Sequence, residues 1–377
     1  MKIQVERDVL ADAVAWTARA LPARPTVPVL AGMRLQAGDD LTLSSFDYDV
    51  SAQATIPVIT EEEGSALVSG RLLAEISRSL PGRPVQIASE GGKAVLTCGS
   101  ATFTLLTMPE EEYPALPEMP PAAGTVGSDA FASAVSQSAT AAGRDDTLPA
   151  LTGVRIEIEG DTLTLISTDR YRLAVRALHW NPARPDLSAA VLVPAKALTD
   201  TAKSLTNAAE VSIALALPGE EGAGGDGMIG FEAGGRRTTT RLLSGEFPRY
   251  RTLLPSTVNA TAEISTSTLI ESVRRVALVA ERNTAVRLTF SGGQLALEAG
   301  TGDEAQADEV IEATFEGDDM SIAFNPTYLL DGLTAMDSDT TRFAFTEPGK
   351  PALLTGKPGP DGNPDYRYLL MPFRLNS

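Results

Sequence analysis

Few residues in this chain could do chemistry. His179 is the only histidine and Cys98 the only cysteine among 377 residues. A multi-histidine metal site, a Cys/His zinc site and a disulfide within the chain are excluded by count. A Ser-His-Asp triad would need His179, which precedes Trp180-Asn181-Pro182, a string that reads as a turn at a domain edge. Thr355–Pro360 (TGKPGP) has the Gly-Lys pair of a phosphate-binding loop but lacks the upstream glycine and the following helix, so it reads as a turn. Cys98 lies in the alternating run AVLTCGSATFTLL and reads as filler on a strand. Carboxylates cluster at Glu61–Glu63, at Glu110–Glu112, and at Glu316 with Asp318-Asp319. Acid–base work needs such groups in a pocket; here they read as solvated runs in loops between strands. The residues therefore predict no catalytic group, no metal and no cofactor, and a binding or scaffolding role. Two alternatives stay open: an enzyme with a loop carboxylate pair on a repeated α+β scaffold, and a monomeric adaptor that reads peptides.

Composition narrows the class further. The net charge is −18, which opposes ordinary attraction to nucleic acid, because phosphate contacts need clustered Lys and Arg. The first ten residues, MKIQVERDVL, carry charges and no apolar signal region. No apolar run approaches the roughly 20 residues of a membrane span. A lone cysteine fits a reducing compartment, so the expected location is cytoplasmic, with no membrane partner.

The elements that must position any site occur three times. Amphipathic first helices are predicted over Val5–Leu21, Gly127–Gly143 and Ser265–Glu281, and second helices over Ser69–Gly82, Pro194–Asn207 and Asn325–Asp337. Hairpins fall between them at Gly32–Asp47, Gly153–Asp169 and Ala285–Gly300, with Gly160-Asp161 marking one turn. Tyr113–Gly124, with four prolines, and Pro255–Ala262 read as linkers. Pro218–Gly227 reads as a Gly-rich acidic hairpin extension, and Ala352–Leu354 as a short strand before a Gly/Pro turn. The expected domains are 1–121, 125–256 and 260–377.

Several strings then carry a resemblance: RPTVPVL (Arg24–Leu30), STDRYRLAV (Ser167–Val175), FPRYRTLLP (Phe247–Pro255), FNPTYLLDGL (Phe324–Leu333) and MPFRL (Met371–Leu375). In this order, over the whole chain, the sequence resembles the bacterial sliding clamp family, the beta subunit of DNA polymerase III. The resemblance implies an α+β fold: three tandem copies of the DNA-clamp domain, each with two helices packed on antiparallel sheets. It implies a head-to-tail homodimer forming a closed ring around duplex DNA. The implied partners are the DNA polymerase III alpha subunit, the clamp loader, and other polymerases and repair proteins carrying clamp-binding motifs. Topological holding also accounts for an acidic DNA-binding protein, since tight phosphate contacts would oppose sliding. Basic residues on the predicted helices and their flanks, Arg24, Arg71, Arg78, Lys196, Lys203 and Arg274, are expected to face the DNA; Arg24 matches the family's DNA-contacting arginine.

The resemblance also implies a pocket for short Gln-x-x-Leu-Phe-like motifs. It is expected to comprise Leu151, Thr168, Arg170, Arg172, Leu173, Pro248, Leu253, Asn325, Tyr328, Leu369, Leu370, Met371, Pro372, Phe373 and Arg374. Burying one Leu or Phe anchor is worth roughly 1.5–3 kcal/mol, which predicts exchangeable binding. The dimer seam is expected to bring Phe103 and Leu105 against Leu278 and Val279. The sequence departs from the family in four places. Arg170-Tyr171 replaces Gly-His, and Thr252 replaces a frequent arginine. Asn376-Ser377 extends the usual ending. Asp145, Pro149 and Ala150 stand where the family has a glutamine and paired tyrosines on a DNA loop, so that contact is not expected here.

Overall fold

The computed structural model describes residues 1–206, 208–219, 226–280, 284–300, 305–356 and 365–373. One order of elements occurs three times. The first helices are α1 (Arg7–Thr17), α3 (Ser128–Ala139) and α5 (Thr266–Val276); the second helices are α2 (Gly70–Ser79), α4 (Ala195–Ser204) and α6 (Pro326–Thr334). All six fall inside the predicted spans and are shorter. In α1 and α5 the chain tightens into 3-10 turns at Ala18–Ala20 and Ala277–Val279, which take up the last predicted turn. The apolar period decides which face is buried: Leu269, Val273 and Val276 of α5 are each at most 1% exposed.

By contacts the described chain divides into two compact units. The first comprises Met1–Ala132, Asn181–Leu187 and Lys196–Leu242. Its five-stranded antiparallel sheet runs Ile59–Glu62, Lys2–Val5, Val85–Glu90, Lys93–Cys98, Ala101–Leu106. Its nine-stranded sheet contains Arg236–Arg241 beside Val50–Pro57, with Thr239 opposite Ser51. The second unit comprises Ser133–Trp180, Ser188–Ala195 and Leu243–Ser377. Its nine-stranded sheet contains Tyr366–Leu370 beside Arg172–His179, with Leu370 opposite Arg172. Its four-stranded sheet runs Ala307–Glu312, Gln294–Ala299, Val286–Ser291, Met320–Phe324.

This division cuts the middle copy. In both junctions the last strand of one copy pairs with the fourth strand of the copy before it: Arg236–Arg241 with Val50–Pro57, and Tyr366–Leu370 with Arg172–His179. Backbone pairing therefore fuses sheets across copy boundaries.

The expected linkers are shorter than their composition suggests. Ala122–Gly127 and Ala260–Ser265 are strands, since register pairing overrides weak strand propensity. Tyr113 is buried against Val29, Leu30, Phe46 and Leu67. Of Pro218–Gly227, positions 220–225 lie outside the described residues, as do 357–360 of the TGKPGP string. No described helix is long and apolar enough to cross a membrane.

Candidate partner-binding site

The site is built around Arg172, which is 7% exposed at the start of its strand. Its Nε donates to Asp169 Oδ2 at 3.0 Å and its Nη1 to Asp331 Oδ2 at 2.5 Å. Its guanidinium lies 4.4 Å from the Tyr328 ring centre. Tyr368, buried at the far side, donates its hydroxyl to the Tyr328 carbonyl at 2.8 Å. Burial drives the Tyr368 hydroxyl well above the ordinary tyrosine range, and Arg172 partly opposes this. A buried cation is tolerable when its donors are satisfied, and here two carboxylates and a ring do so.

Local chemistry sets each wall. Asp169 Oδ1 accepts from the backbone N–H groups of Tyr171 and Arg172 at 3.0 and 3.1 Å, which closes a tight turn. Asn325 caps α6, its Oδ1 accepting from Thr327 and Tyr328 N–H at 2.9 and 3.2 Å, with Pro326 at the first helical position. The cap aims Tyr328 at the turn, where its ring stacks on Tyr171 with centres 6.0 Å apart. Asp331 lies three residues further along the same helix face. Gly143 N–H bonds the Leu151 carbonyl at 2.7 Å and draws the 143–151 loop against the turn. The result is a cleft of about 480 Å³ lined by Leu148, Leu151, Arg144, Arg170, Tyr171, Tyr328 and their neighbours.

Of the expected pocket residues, Leu151, Arg170, Arg172 and Tyr328 line this cleft. Others support it instead. Thr168 is buried and donates to the Arg172 carbonyl at 2.7 Å. Asn325 is occupied by capping. Leu370 is fully buried in the core of the second unit and cannot touch a ligand. Leu173 and Leu369 are buried with Ile166, Val175 and Tyr250 in a small cluster that Phe247, Leu254 and Leu353 flank. Tyr250 holds the FPRYR segment to that cluster by donating to buried Glu157 at 2.9 Å; burial, then Glu157, pushes its hydroxyl up to about 12. Pro248, Leu253, Met371 and Phe373 are exposed. Pro372 is half-buried. Met371 N–H donates to the Tyr171 carbonyl at 2.9 Å, so the chain leaves the last strand beside the cleft. Arg374 lies outside the described residues. Sequence reasoning missed Leu148, Asp169, Tyr171 and Asp331 as wall residues. The three-residue spacing of Tyr328 and Asp331 was the available signal for the last.

Three family models match the chain: DNA polymerase III beta subunit, N-terminal domain over residues 1–117, central domain over 125–249, and C-terminal domain over 251–374. The Beta sliding clamp of Streptomyces coelicolor is 61% identical over 379 residues, covering 100% of both chains.

The chain belongs to the DNA polymerase III beta subunit family.

The Beta sliding clamp homolog GriR of Streptomyces muensis is 44% identical, again over 100% of both chains. Among solved structures, the DNA polymerase sliding clamp of Bacillus subtilis is similar at 27% identity with a TM-score of 0.91, covering 100% of this chain and 99% of that one. A Pseudomonas aeruginosa sliding clamp bound to griselimycin is similar at 27% identity with a TM-score of 0.90 and 100% coverage of both. As a beta subunit of this family the chain is a sliding clamp, a non-catalytic processivity factor of DNA replication, which sets the carboxylate-enzyme alternative aside.

The carboxylate runs of this beta subunit are ordinary surface groups. Glu61 and Glu62 lie within an edge strand rather than in a loop, and Lys2 Nζ reaches Glu61 at 2.6 Å. Glu110, in a 3-10 turn, accepts from Arg34 at 2.7 Å. His179 ends a strand in solvent. No described cluster of three His, Cys, Asp or Glu could hold a metal.

The basic residues expected to face DNA, Arg24, Arg71, Arg78, Lys196, Lys203 and Arg274, are all exposed. Arg71 donates to the carbonyls of Pro22 and Ala23 at 2.9 and 2.8 Å, which braces the loop that carries Arg24. Lys196 pairs with Asp200 at 2.9 Å. Arg274 lines a cleft of about 500 Å³ with Arg144 and Asp331.

At the expected seam, Leu278 is 83% exposed and Phe103 half-buried, while Val279 packs partly on its own core. Leu105 is a correction. It is 3% exposed within the first core, because strand alternation turns it inward, and its neighbour Leu106 is the outward residue at 73%.

Proposed function

We propose that two copies of this clamp close head to tail around duplex DNA, and that the Tyr171–Tyr328 cleft takes the apolar anchors of partner proteins. One observation carries the ring. At both junctions the last strand of one copy pairs antiparallel with the fourth strand of the copy before it. The last strand of the first copy, Ala101–Leu106, and the fourth strand of the third copy, Ala307–Glu312, are both sheet edges. The same rule pairs these two edges between chains, which makes a heterologous contact that closes on rotation. Leu106 and Val310, 73% and 56% exposed, lie on those edges. Arg275 donates to Glu309 at 2.6 Å, tying α5 to one edge and setting Leu278 beside it.

DNA and polymerases are partners in this role. The finer reading is sequence-independent encirclement in the cytoplasm, with Arg24, Arg71, Arg78, Lys196, Lys203 and Arg274 toward the duplex. The cleft then serves the DNA polymerase III alpha subunit, the clamp loader, and other polymerases and repair proteins. In its favour are the apolar wall, the rigid Arg172 brace and the departure of the C-terminal strand beside it. The domain limits that fit this reading are 1–121, 125–256 and 260–377.

Small-angle scattering with light-scattering mass tests the ring. A particle of twice 39.6 kDa with a hollow pair-distance curve is expected. A 39.6 kDa particle would sink encirclement by this chain alone and favour the monomeric adaptor.

A further inference from the structure

Arg170 adopts a left-handed backbone, φ 79°, although it is not glycine. The turn demands this. In the first copy Asp47 Oδ1 accepts from Asp49 and Val50 N–H at 3.0 and 2.6 Å, as Asp169 does from Tyr171 and Arg172, and Tyr48 there has φ 77°. Glycine fills such a position with less strain than arginine. At 170 the chain instead carries a guanidinium to the rim of the cleft.

The charges around that rim are unevenly engaged. Asp145 holds Thr147 by N–H and hydroxyl at 3.0 and 2.6 Å, and those bonds, with Arg170's charge adding a little, hold its carboxyl below the usual range. Asp169 and Asp331 are taken by Arg172. Arg144 and Arg170 also line the cleft, and among the described residues neither makes an ion pair or donates a side-chain hydrogen bond.

We infer that Arg170, helped by Arg144, selects partner segments that carry an acidic residue beside their apolar anchor. This inference rests on the cleft being the partner site. The anchor enters between Leu148, Leu151 and the stacked tyrosines, and the neighbouring carboxylate meets the guanidinium forks, whose planar donors match it. The net charge of −18 repels acidic chains at long range but is screened beyond about 10 Å at moderate salt, so the two rim cations dominate once contact is made.

Two fluorescein-labelled peptides test this by anisotropy: Gln-Ala-Ser-Leu-Phe followed by Asp-Glu, and the same motif followed by Asn-Gln. The wild-type clamp is expected to prefer the acidic peptide by about fivefold, the size that two exposed charge pairs give. Arg170→Gly and Arg144→Gln should each shrink that ratio, and raised salt should shrink it in the wild type. Arg170→Gly should also raise the melting temperature, which separates lost selection from lost folding. Equal binding of both peptides to the wild type overturns the selection and leaves the cleft standing. Binding of neither overturns the cleft as well.

Discussion

Arg172 shows how one residue supports a surface that it scarcely shares. Its guanidinium is spent on Asp169, Asp331 and the Tyr328 face. Replacing it by methionine leaves two carboxylates unneutralised and frees both tyrosine walls. Arg172→Met should cost about 3 kcal/mol, toward the low end for a broken buried pair because Asp331 keeps some water contact; urea denaturation measures it. Tyr328→Ala removes an aromatic wall but little of the core, so folding should survive while peptide affinity falls about tenfold or more, read by anisotropy. Of these roles the sequence showed residue types and approximate company. That Thr168 and Asn325 are spent on a turn and a cap, and that Leu370 is sealed in a core, became visible only with the backbone in place.

Two elements hold the cleft in shape. Helix α6 lies directly on Tyr368: a Cβ added at Gly332 would collide with that ring, and the same ring's hydroxyl holds the Tyr328 carbonyl. Gly332→Ala should therefore cost about 1–3 kcal/mol by overpacking and weaken peptide binding although position 332 touches no ligand. Unfolding and anisotropy on the same preparation check both effects. The FPRYR segment depends on Tyr250, pushed up to about 12 by burial and Glu157, and Tyr113 is likewise raised to about 12 by burial. In the unfolded chain both ionise near about 10. Their contribution is complete below that pH and is lost as pH climbs toward 12, because the unfolded state sheds protons that the native state retains. The urea midpoint should fall between about pH 8 and about pH 11, and Tyr250→Phe should fall less steeply over that interval.

Assembly is a matter of unpaired edges. Leu106→Asp or Leu278→Asp should give a folded 39.6 kDa monomer by light scattering, since each puts a charge on an exposed seam residue. Leu105→Asp should instead lose the fold, because the residue is 3% exposed in the first core. A dimer that persists at nanomolar concentration in the two exposed variants would remove the seam assignment. Two copy junctions are satisfied within the chain, and the two remaining strands are sheet edges, which the proposed ring pairs between chains.

The sequence by itself determined the threefold order of elements, the six helices and their buried faces, the exclusion by count of multi-histidine and Cys/His metal sites, and the family. Those depend on local period, turn residues and counts, all written in consecutive residues. It left unmarked which strands join the sheet of one copy to that of the next, because hydrogen bonding between strands far apart in the chain leaves no local mark (Arg236–Arg241 on Val50–Pro57). It also assigned Leu105 to the wrong side of its strand, since an alternating run has two faces and only the packed sheet decides which is the core. The cleft divided along the same line. Its motifs were legible as strings, but which side chains line it, brace it or are buried beneath it was decided by the Asp169 turn, the Asn325 cap and the Arg172 network, where residues distant in sequence satisfy one another.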